Sequence, residues 1–122
     1  EHWIPLTAPV MKLLELAIES SDGGYLFPGN KAHRPLSENT LNKALRAIGI
    51  DKDKHVFHGF RSSFSTLARE HCRFDGDLIE LQLGHIEANK VKAAYDRSMR
   101  LEERRELMEA WSKYLEQLRR LT

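Results

Sequence analysis

Apolar residues recur every three or four positions along much of the chain, the spacing that turns one face of a helix towards a core. The first such stretch follows Thr7, a good N-cap, and Ser20 to Gly24 end it. The second follows Ser37 and stops at Gly49. Two helices are therefore predicted in the first half of the chain. Their apolar positions are Val10, Leu13, Leu14, Ala17 and Ile18, then Leu41, Ala44, Leu45 and Ile48.

The second half of the chain carries this spacing in further stretches, each of which predicts a helix. Two of the helices carry apolar stripes: the first should face a core, and the second must be buried somewhere. The stripes are Phe60, Phe64, Leu67 and Ala68, and Leu107, Trp111, Tyr114, Leu115, Leu118 and Leu121. The first predicted helix of this half runs from His58 to His71. A shorter one, marked by Leu78, Ile79, Leu81 and Leu83, ends at Gly84. Two more run from Lys90 to Tyr95, with Asn89 as the cap, and from Leu101 to Leu121.

Two other segments break the helical pattern. His2 to Leu6 (HWIPL) is short, partly apolar and contains Pro5, so we predict a strand there. Tyr25 to Pro35 combines proline, glycine and asparagine with positive charges, which predicts a loop. The predicted fold class is mainly α within one domain, residues 1–122, and the short N-terminal strand is an α+β remnant.

Composition restricts the classes of function. Apolar residues make up 41% and charged residues 30% of the 122 residues, which suits a folded domain. The formal net charge is only +1, so any basic footprint for nucleic acid must be local. The single cysteine, Cys72, excludes an internal disulfide framework, and its spacing from His71 and His55 fits no standard zinc site. We expect no metal, no cofactor and no membrane span.

His58 and Arg61, in the sequence HGFR, begin one of the predicted helices. Residues three apart lie on the same helix face, so both side chains should project together. A guanidinium matches phosphate geometry and stays charged, while a histidine can exchange a proton near neutral pH. The pair therefore suits charge stabilisation at a phosphoryl group. A surface ion-pair helix with a capping histidine explains the two residues equally simply.

Two later motifs extend this pattern. LGH (residues 83–85) places His85 after a helix stop, and AAYDRS (residues 93–98) contains Tyr95. A histidine, an arginine, a second histidine and a tyrosine in this order resemble the C-terminal half of the catalytic domain of tyrosine recombinases, the phage integrase family. HGFR matches the H-x-x-R motif of that family. The sequence from Ile79 onwards looks most like integrases of prophages and genomic islands.

The resemblance implies a reaction and a role for each residue. Tyr95 would attack a DNA phosphodiester and form a 3′-phosphotyrosyl link, Arg61 would bind the nonbridging oxygens, and His58 would assist proton transfer. His85 would hold the scissile phosphate, without metal or cofactor. The implied partners are double-stranded DNA attachment sites, other integrase protomers in a synaptic complex and a directionality factor. The implied location is the bacterial cytoplasm, at the nucleoid.

Several of these residues have structural alternatives. Tyr95 is also explained as a half-buried packing residue, and His85 as the residue that closes a helix end. A further set of basic residues could contact the DNA backbone, although a solvated charged face explains them nearly as well. This set is Lys90, Lys92, Arg97, Lys31 and Arg34.

The chain departs from the family pattern before His58. The family carries an active-site arginine on an early helix and a lysine on a β-hairpin, and no residue before His58 stands in either context. We therefore expect residues 1–122 to be a partial catalytic domain, without its N-terminal portion and the arm-binding and core-binding domains, and inactive alone. His85 and Tyr95 also stand one residue further apart than is commonest in the family. The alternative function is a noncatalytic helical module that binds protein or DNA.

Overall fold

Helices make up most of the structure. The structure, a computed structural model, describes residues 2–21, 24–29, 33–85 and 100–121. Among these residues, the one β-type pairing is an isolated bridge between Pro28 and Pro35. The predicted class, mainly α, is confirmed, and the helix predicted from Lys90 to Tyr95 lies outside the described residues. The helices are α1 (Ala8–Glu19), α2 (Glu38–Ala47), α3 (Gly59–Leu67), α4 (Gly76–Leu83) and α5 (Leu101–Leu121), with a π-helical segment, Ala68–Cys72, directly after α3.

The chain divides into two compact units. The C-terminal unit comprises Glu1–Ala8 and Ser63–Thr122, and the middle unit comprises Pro9–Ser62. The middle unit holds α2 and nearly all of α1, whereas α4 and α5 belong to the C-terminal unit. Helix α3 contributes its first residues to the middle unit and its remainder to the C-terminal unit.

Helix ends follow the local signals in the sequence. The Ser37 side chain accepts a hydrogen bond from the Thr40 amide at 3.3 Å and so caps α2, as predicted. Gly49 and Gly84 follow the ends of α2 and α4 with φ of 84° and 72°, a left-handed conformation that glycine adopts without strain. The predicted stops at both glycines are confirmed.

The core of the C-terminal unit forms where α4, α5 and the π-helical segment pack together. The rings of Phe64 and Trp111 meet edge to face, with centroids 5.2 Å apart and planes at 85°. Burying a leucine, isoleucine or phenylalanine side chain contributes about 1.5 to 3 kcal/mol, so the buried apolar residues dominate the stability of the unit. The buried apolar residues are Phe64, Ala68, Leu78, Ile79 and Leu107.

Arg104 lies inside this unit although arginine is normally a surface residue. Its side chain is fully buried, at 0% exposure. The guanidinium donates to the Gln82 side-chain oxygen, with Nε at 2.8 Å, and to the backbone carbonyl of Trp3. Burial lowers the pKa of Arg104 below its ordinary value. Arg104 thus joins α5 to α4 and to the N-terminal segment.

The strand predicted from His2 to Leu6 is not present, because residues 2–7 have no regular secondary structure. Side chains rather than a neighbouring strand bond to this segment. The backbone carbonyl of Trp3 accepts a hydrogen bond from Arg104, and the His2 ring lies 3.2 Å from the Gln82 carbonyl. The Thr7 and Ser112 hydroxyls lie 2.8 Å apart. The short apolar run therefore packs as an irregular segment on helices.

Two apolar stripes are only partly buried within this chain. Phe60 is 50% exposed and lies against His55 and Phe57, whereas Phe64 and Ala68 reach the core. In α5, Leu107 is fully buried but the exposure of Leu121 reaches 83%. The prediction that the first stripe faces a core is therefore wrong for Phe60, whereas what buries the second half of the α5 row stays open. The core covers only the first half of that long helix, and Leu115 and Leu118 are exposed as well.

Arg100 links the start of α4 to the start of α5. Its guanidinium lies 3.1 Å from Asp75 and 2.6 Å from Glu103. Asp75 also caps α4, because its other oxygen accepts the Leu78 amide at 2.9 Å. The hydrogen bond from Arg100, more than the helix cap, lowers the pKa of Asp75 below its usual range.

Replacing Arg104 by alanine is expected to lower the free energy of unfolding of the C-terminal unit by about 3 to 5 kcal/mol. The buried Gln82 oxygen and the Trp3 carbonyl would lose their donor, and a cavity would form. Urea unfolding can be followed by fluorescence because Trp3 and Trp111, the two tryptophans of the chain, belong to this unit. The control is Arg105→Ala. Arg105 is exposed and its ion pair with Glu102 is long, at 3.9 Å, so its loss should change stability by less than about 0.5 kcal/mol. Equal losses in both variants would contradict the role of Arg104.

Acid is expected to weaken the C-terminal unit through Asp75. Its pKa is lower in the folded chain than in the unfolded chain, so its stabilising contribution is complete above about pH 4 and is lost as pH falls through the folded value. Asp75→Asn keeps a capping oxygen but removes the charge. Unfolding measured between pH 6 and pH 2.5 should therefore show a shallower acid dependence for the variant than for the wild type. Identical pH profiles would refute this contribution.

Candidate active site

The turn that carries His58 and Arg61 is held by side chains of α2. The Arg46 guanidinium donates to the backbone carbonyls of Ile50 and His55, the latter at 2.9 Å. The Asn42 side-chain oxygen accepts the Phe57 amide at 2.9 Å. Because these bonds hold the backbone just before His58, they fix where α3 begins.

His58 directly precedes α3 and Arg61 lies in its first turn, so the two residues share one turn, as the sequence predicts. The Arg61 amide donates to the His58 carbonyl at 3.1 Å, which places the two residues one turn apart. Both residues are exposed. An exposed histidine and an exposed arginine on one turn can reach a large anionic ligand without any rearrangement of a core.

Gly59 separates the pair for a packing reason. A Cβ atom at this position would lie 3.0 Å from Cε1 of the His55 ring, closer than most real contacts. That ring meets Phe60 edge to face, with centroids 4.4 Å apart. Its Nε2 is buried and, within the described part of the chain, has no hydrogen-bond partner. His55 is thus a packing residue beneath the turn.

His85 directly follows the left-handed residue that ends α4. The His85 amide donates to the Glu80 carbonyl at 3.1 Å, and the Gly84 amide donates to the Leu81 carbonyl at 3.1 Å. These two bonds form a Schellman motif, which satisfies carbonyls at a helix C-terminus. The backbone of His85 therefore does close a helix end, the structural alternative considered for this residue.

The His85 side chain has a partner of its own. Its Nδ1 is hydrogen-bonded to the Glu80 carboxylate, and both side chains are about half exposed. Sequence reasoning missed Glu80 because the two residues are five apart, outside the usual helical pairings. The left-handed Gly84 between them turns the chain back over the last turn of α4, and this glycine was the available signal.

Of the other predicted site residues, Arg34 alone lies within the described part of the chain. Arg34 is exposed, and its backbone carbonyl accepts the Gly29 amide at 2.7 Å. Its proposed contact with DNA stays a prediction. The remaining predicted site residues lie outside the described residues, and their roles also stay predictions. They are the predicted nucleophile Tyr95 and the basic residues Lys90, Lys92, Arg97 and Lys31.

The described residues carry neither a cluster of metal-ligating side chains nor a membrane-spanning helix. Across residues 2–21, 24–29, 33–85 and 100–121, no three histidine, cysteine or acidic side chains gather as a metal site would require. Cys72 is partly buried, and burial raises the pKa of its thiol. None of the helices in the same ranges is both long enough and apolar enough to cross a bilayer.

Comparison with known proteins identifies relatives of this chain. Residues 1–102 match the family model described as the phage integrase family. The integrase of Enterobacteria phage P4 is 44% identical over 120 residues, which are 95% of this chain and 27% of that protein. The prophage integrase IntA of Escherichia coli strain K12 is 37% identical over 114 residues, or 92% of this chain and 27% of that protein. The integrase of Shigella phage Sf6 is 32% identical over 119 residues, which are 95% of this chain and 30% of that protein.

The extent of these matches decides what they establish. The chain spans less than a third of the length of each of these three relatives, 27% to 30%. No solved structure matches the chain. The family model nevertheless covers most of the chain, and the relatives exceed 30% identity along nearly all of it. The chain therefore belongs to the phage integrase family.

Proposed function

We propose that the protein containing this chain breaks and rejoins DNA at specific sites, with Tyr95 as the nucleophile. The observation that carries the proposal is the turn at the start of α3, where His58 and Arg61 are exposed one turn apart in a chain of the phage integrase family. The motifs LGH and AAYDRS follow in the order that the family uses. Each element is weak alone, and their order along one chain supports the function.

Each proposed role follows from the chemistry of the side chain. The Arg61 guanidinium donates to the nonbridging oxygens and stabilises the charge that develops on the pentavalent phosphorus. His58 takes part in proton transfer as the Tyr95 hydroxyl attacks, since a phenol with a pKa near 10 is protonated at neutral pH. His85 donates a hydrogen bond to the scissile phosphate. The 3′-phosphotyrosyl link conserves the energy of the broken bond, so a 5′ hydroxyl can reverse the step without ATP.

The proposed partners follow from this reaction. Double-stranded DNA is the substrate, and Arg34 with Lys31, Lys90, Lys92 and Arg97 contacts its phosphates. Such contacts release counterions, so DNA binding should weaken steeply as salt rises. Joining two DNA sites requires further protomers in a synaptic complex, and a directionality factor would choose between integration and excision.

A noncatalytic interaction module is the second candidate function. The exposed leucines in the second half of α5, Leu115, Leu118 and Leu121, favour it. Such a row commonly binds a partner. Under this alternative, the protein would act without Tyr95.

The Tyr95→Phe variant of the full-length protein is expected to lose recombination, because the ring stays but the attacking oxygen is removed. The measurement is recombination between plasmid-borne attachment sites in cells, with formation of the covalent protein–DNA adduct on a denaturing gel. Tyr25→Phe is the matched control, since the proposal gives Tyr25 no role in the reaction. Recombination that survives Tyr95→Phe would favour the interaction module.

The 122 residues alone are expected to form no covalent adduct with DNA. The resemblance implies an additional arginine and a lysine that no residue before His58 supplies in the expected context. Loss of one transition-state donor costs about 10²- to 10³-fold in rate, and loss of a proton donor about 10²- to 10⁴-fold. A nicked suicide substrate carrying the attachment site, analysed on a denaturing gel, checks this. A robust adduct at Tyr95 would refute it.

A further inference from the structure

The contact between Glu80 and His85 is formed by the end of α4 itself. The two residues are joined twice, once through the His85 amide and the Glu80 carbonyl at 3.1 Å and once through their side chains. The left-handed conformation of Gly84, with φ of 72°, is what turns His85 back over Glu80. Glycine favours this conformation, because another residue type would be strained in it.

The helix that presents Glu80 is firmly anchored. Ile79, directly before Glu80, and Gln82, two residues after it, are buried in the C-terminal unit. The Gln82 side-chain oxygen accepts a hydrogen bond from the buried Arg104 guanidinium at 2.8 Å. The Gln82 backbone carbonyl lies 3.2 Å from the His2 ring. The carboxylate therefore projects from a turn whose other side is fixed in the core, so it can hold the imidazole in one orientation.

The contact with Glu80 assigns a separate role to each nitrogen of the His85 ring. The two nitrogens of histidine are distinct, and a hydrogen bond at one of them sets the role of the other. An ionised carboxylate only accepts hydrogen bonds, so Nδ1–H is the donor in the bond to Glu80. The opposite nitrogen, Nε2, is then the atom that can meet a phosphate. A ring that donates from both nitrogens carries one positive charge, which the Glu80 carboxylate balances.

We propose that Glu80 is a positioning residue, which fixes the ring of His85 so that Nε2–H donates to the scissile phosphate. This inference rests on the proposed function and deepens it, because the family pattern supplied a role for His85 but none for Glu80. Residues that orient a reacting ring typically contribute about 10- to 100-fold, somewhat less than a direct transition-state donor. Glu80 touches neither DNA nor the nucleophile in this role.

The first test examines the contact alone. Long-range ¹⁵N–¹H correlation spectra of the 122-residue chain report which imidazole nitrogens carry protons. We expect a protonated Nδ1 for His85 in the wild type and a change of this signal in Glu80→Ala. Glu70→Ala is the matched control, since Glu70 lies 4.0 Å from the His71 ring in the same unit. This control should leave the His85 signals unchanged. A wild-type His85 whose Nδ1 carries no proton would overturn the proposal.

The second test measures DNA cleavage by the full-length protein on a nicked suicide substrate carrying its attachment site. Glu80→Ala should slow adduct formation about 10- to 100-fold. Glu80→Gln should recover part of the rate, because its amide oxygen still accepts from Nδ1 although the charge is lost. In a His85→Ala background, Glu80→Ala should cause no further loss, since a positioning residue has nothing left to orient.

The outcomes separate the two proposals. An equal loss from Glu80→Ala with and without His85 would make Glu80 merely structural and overturn the positioning role. Unchanged cleavage in Glu80→Ala, with wild-type cleavage intact, would overturn it as well. Wild-type protein that forms no Tyr95-dependent adduct would instead overturn the proposed function, and with it the role of His85 at a phosphate. Urea unfolding of each variant shows that a lost rate is not lost folding.

Discussion

The buried guanidinium of Arg104 is the interaction on which the C-terminal unit depends. One side chain of α5 bonds to the Gln82 side chain of α4 and to the carbonyl of Trp3, so three segments far apart in sequence share one donor group. Removing a cation from water is costly, and it is tolerated only when good acceptors replace the water. A turn of α4 next to His85 is thereby tied to the core, which extends the influence of Arg104 towards the proposed site.

Local signals were sufficient to predict much of the helical fold. Ser37 capped α2, Gly49 and Gly84 followed helix ends, and the last helix was predicted at the bounds Leu101–Leu121 that the structure has. Each of these depends on a few neighbouring residues, whose backbone preferences are intrinsic. Long-range packing was less accessible to prediction. Arg104 occupies the position three before Leu107 on the buried face, yet its charge argued for a surface position.

The candidate site shows the same division between local and long-range information. The spacing of His58 and Arg61 predicted a shared turn, because helix geometry alone determines it. The position of His85 after a helix stop was also predictable, since Gly84 marks the stop. The partner of His85 was not, because the contact with Glu80 arises only once the left-handed residue has turned the chain. Tyr95 lies outside the described residues, so its place in the sequence motif remains its support.

The tight fit between Gly59 and the His55 ring links two positions of the chain in how they can vary. A methyl group at residue 59 would meet the ring at 3.0 Å, so a larger residue there requires the His55 ring to shift or to be replaced by a smaller side chain. Residue 55 in turn supports Phe60 through an edge-to-face ring contact, which a small residue would abolish. Changes at these sites should thus be accepted in pairs or triplets rather than singly. A mutagenesis library through HGFR would recover more folded variants if residues 55, 59 and 60 were randomised together.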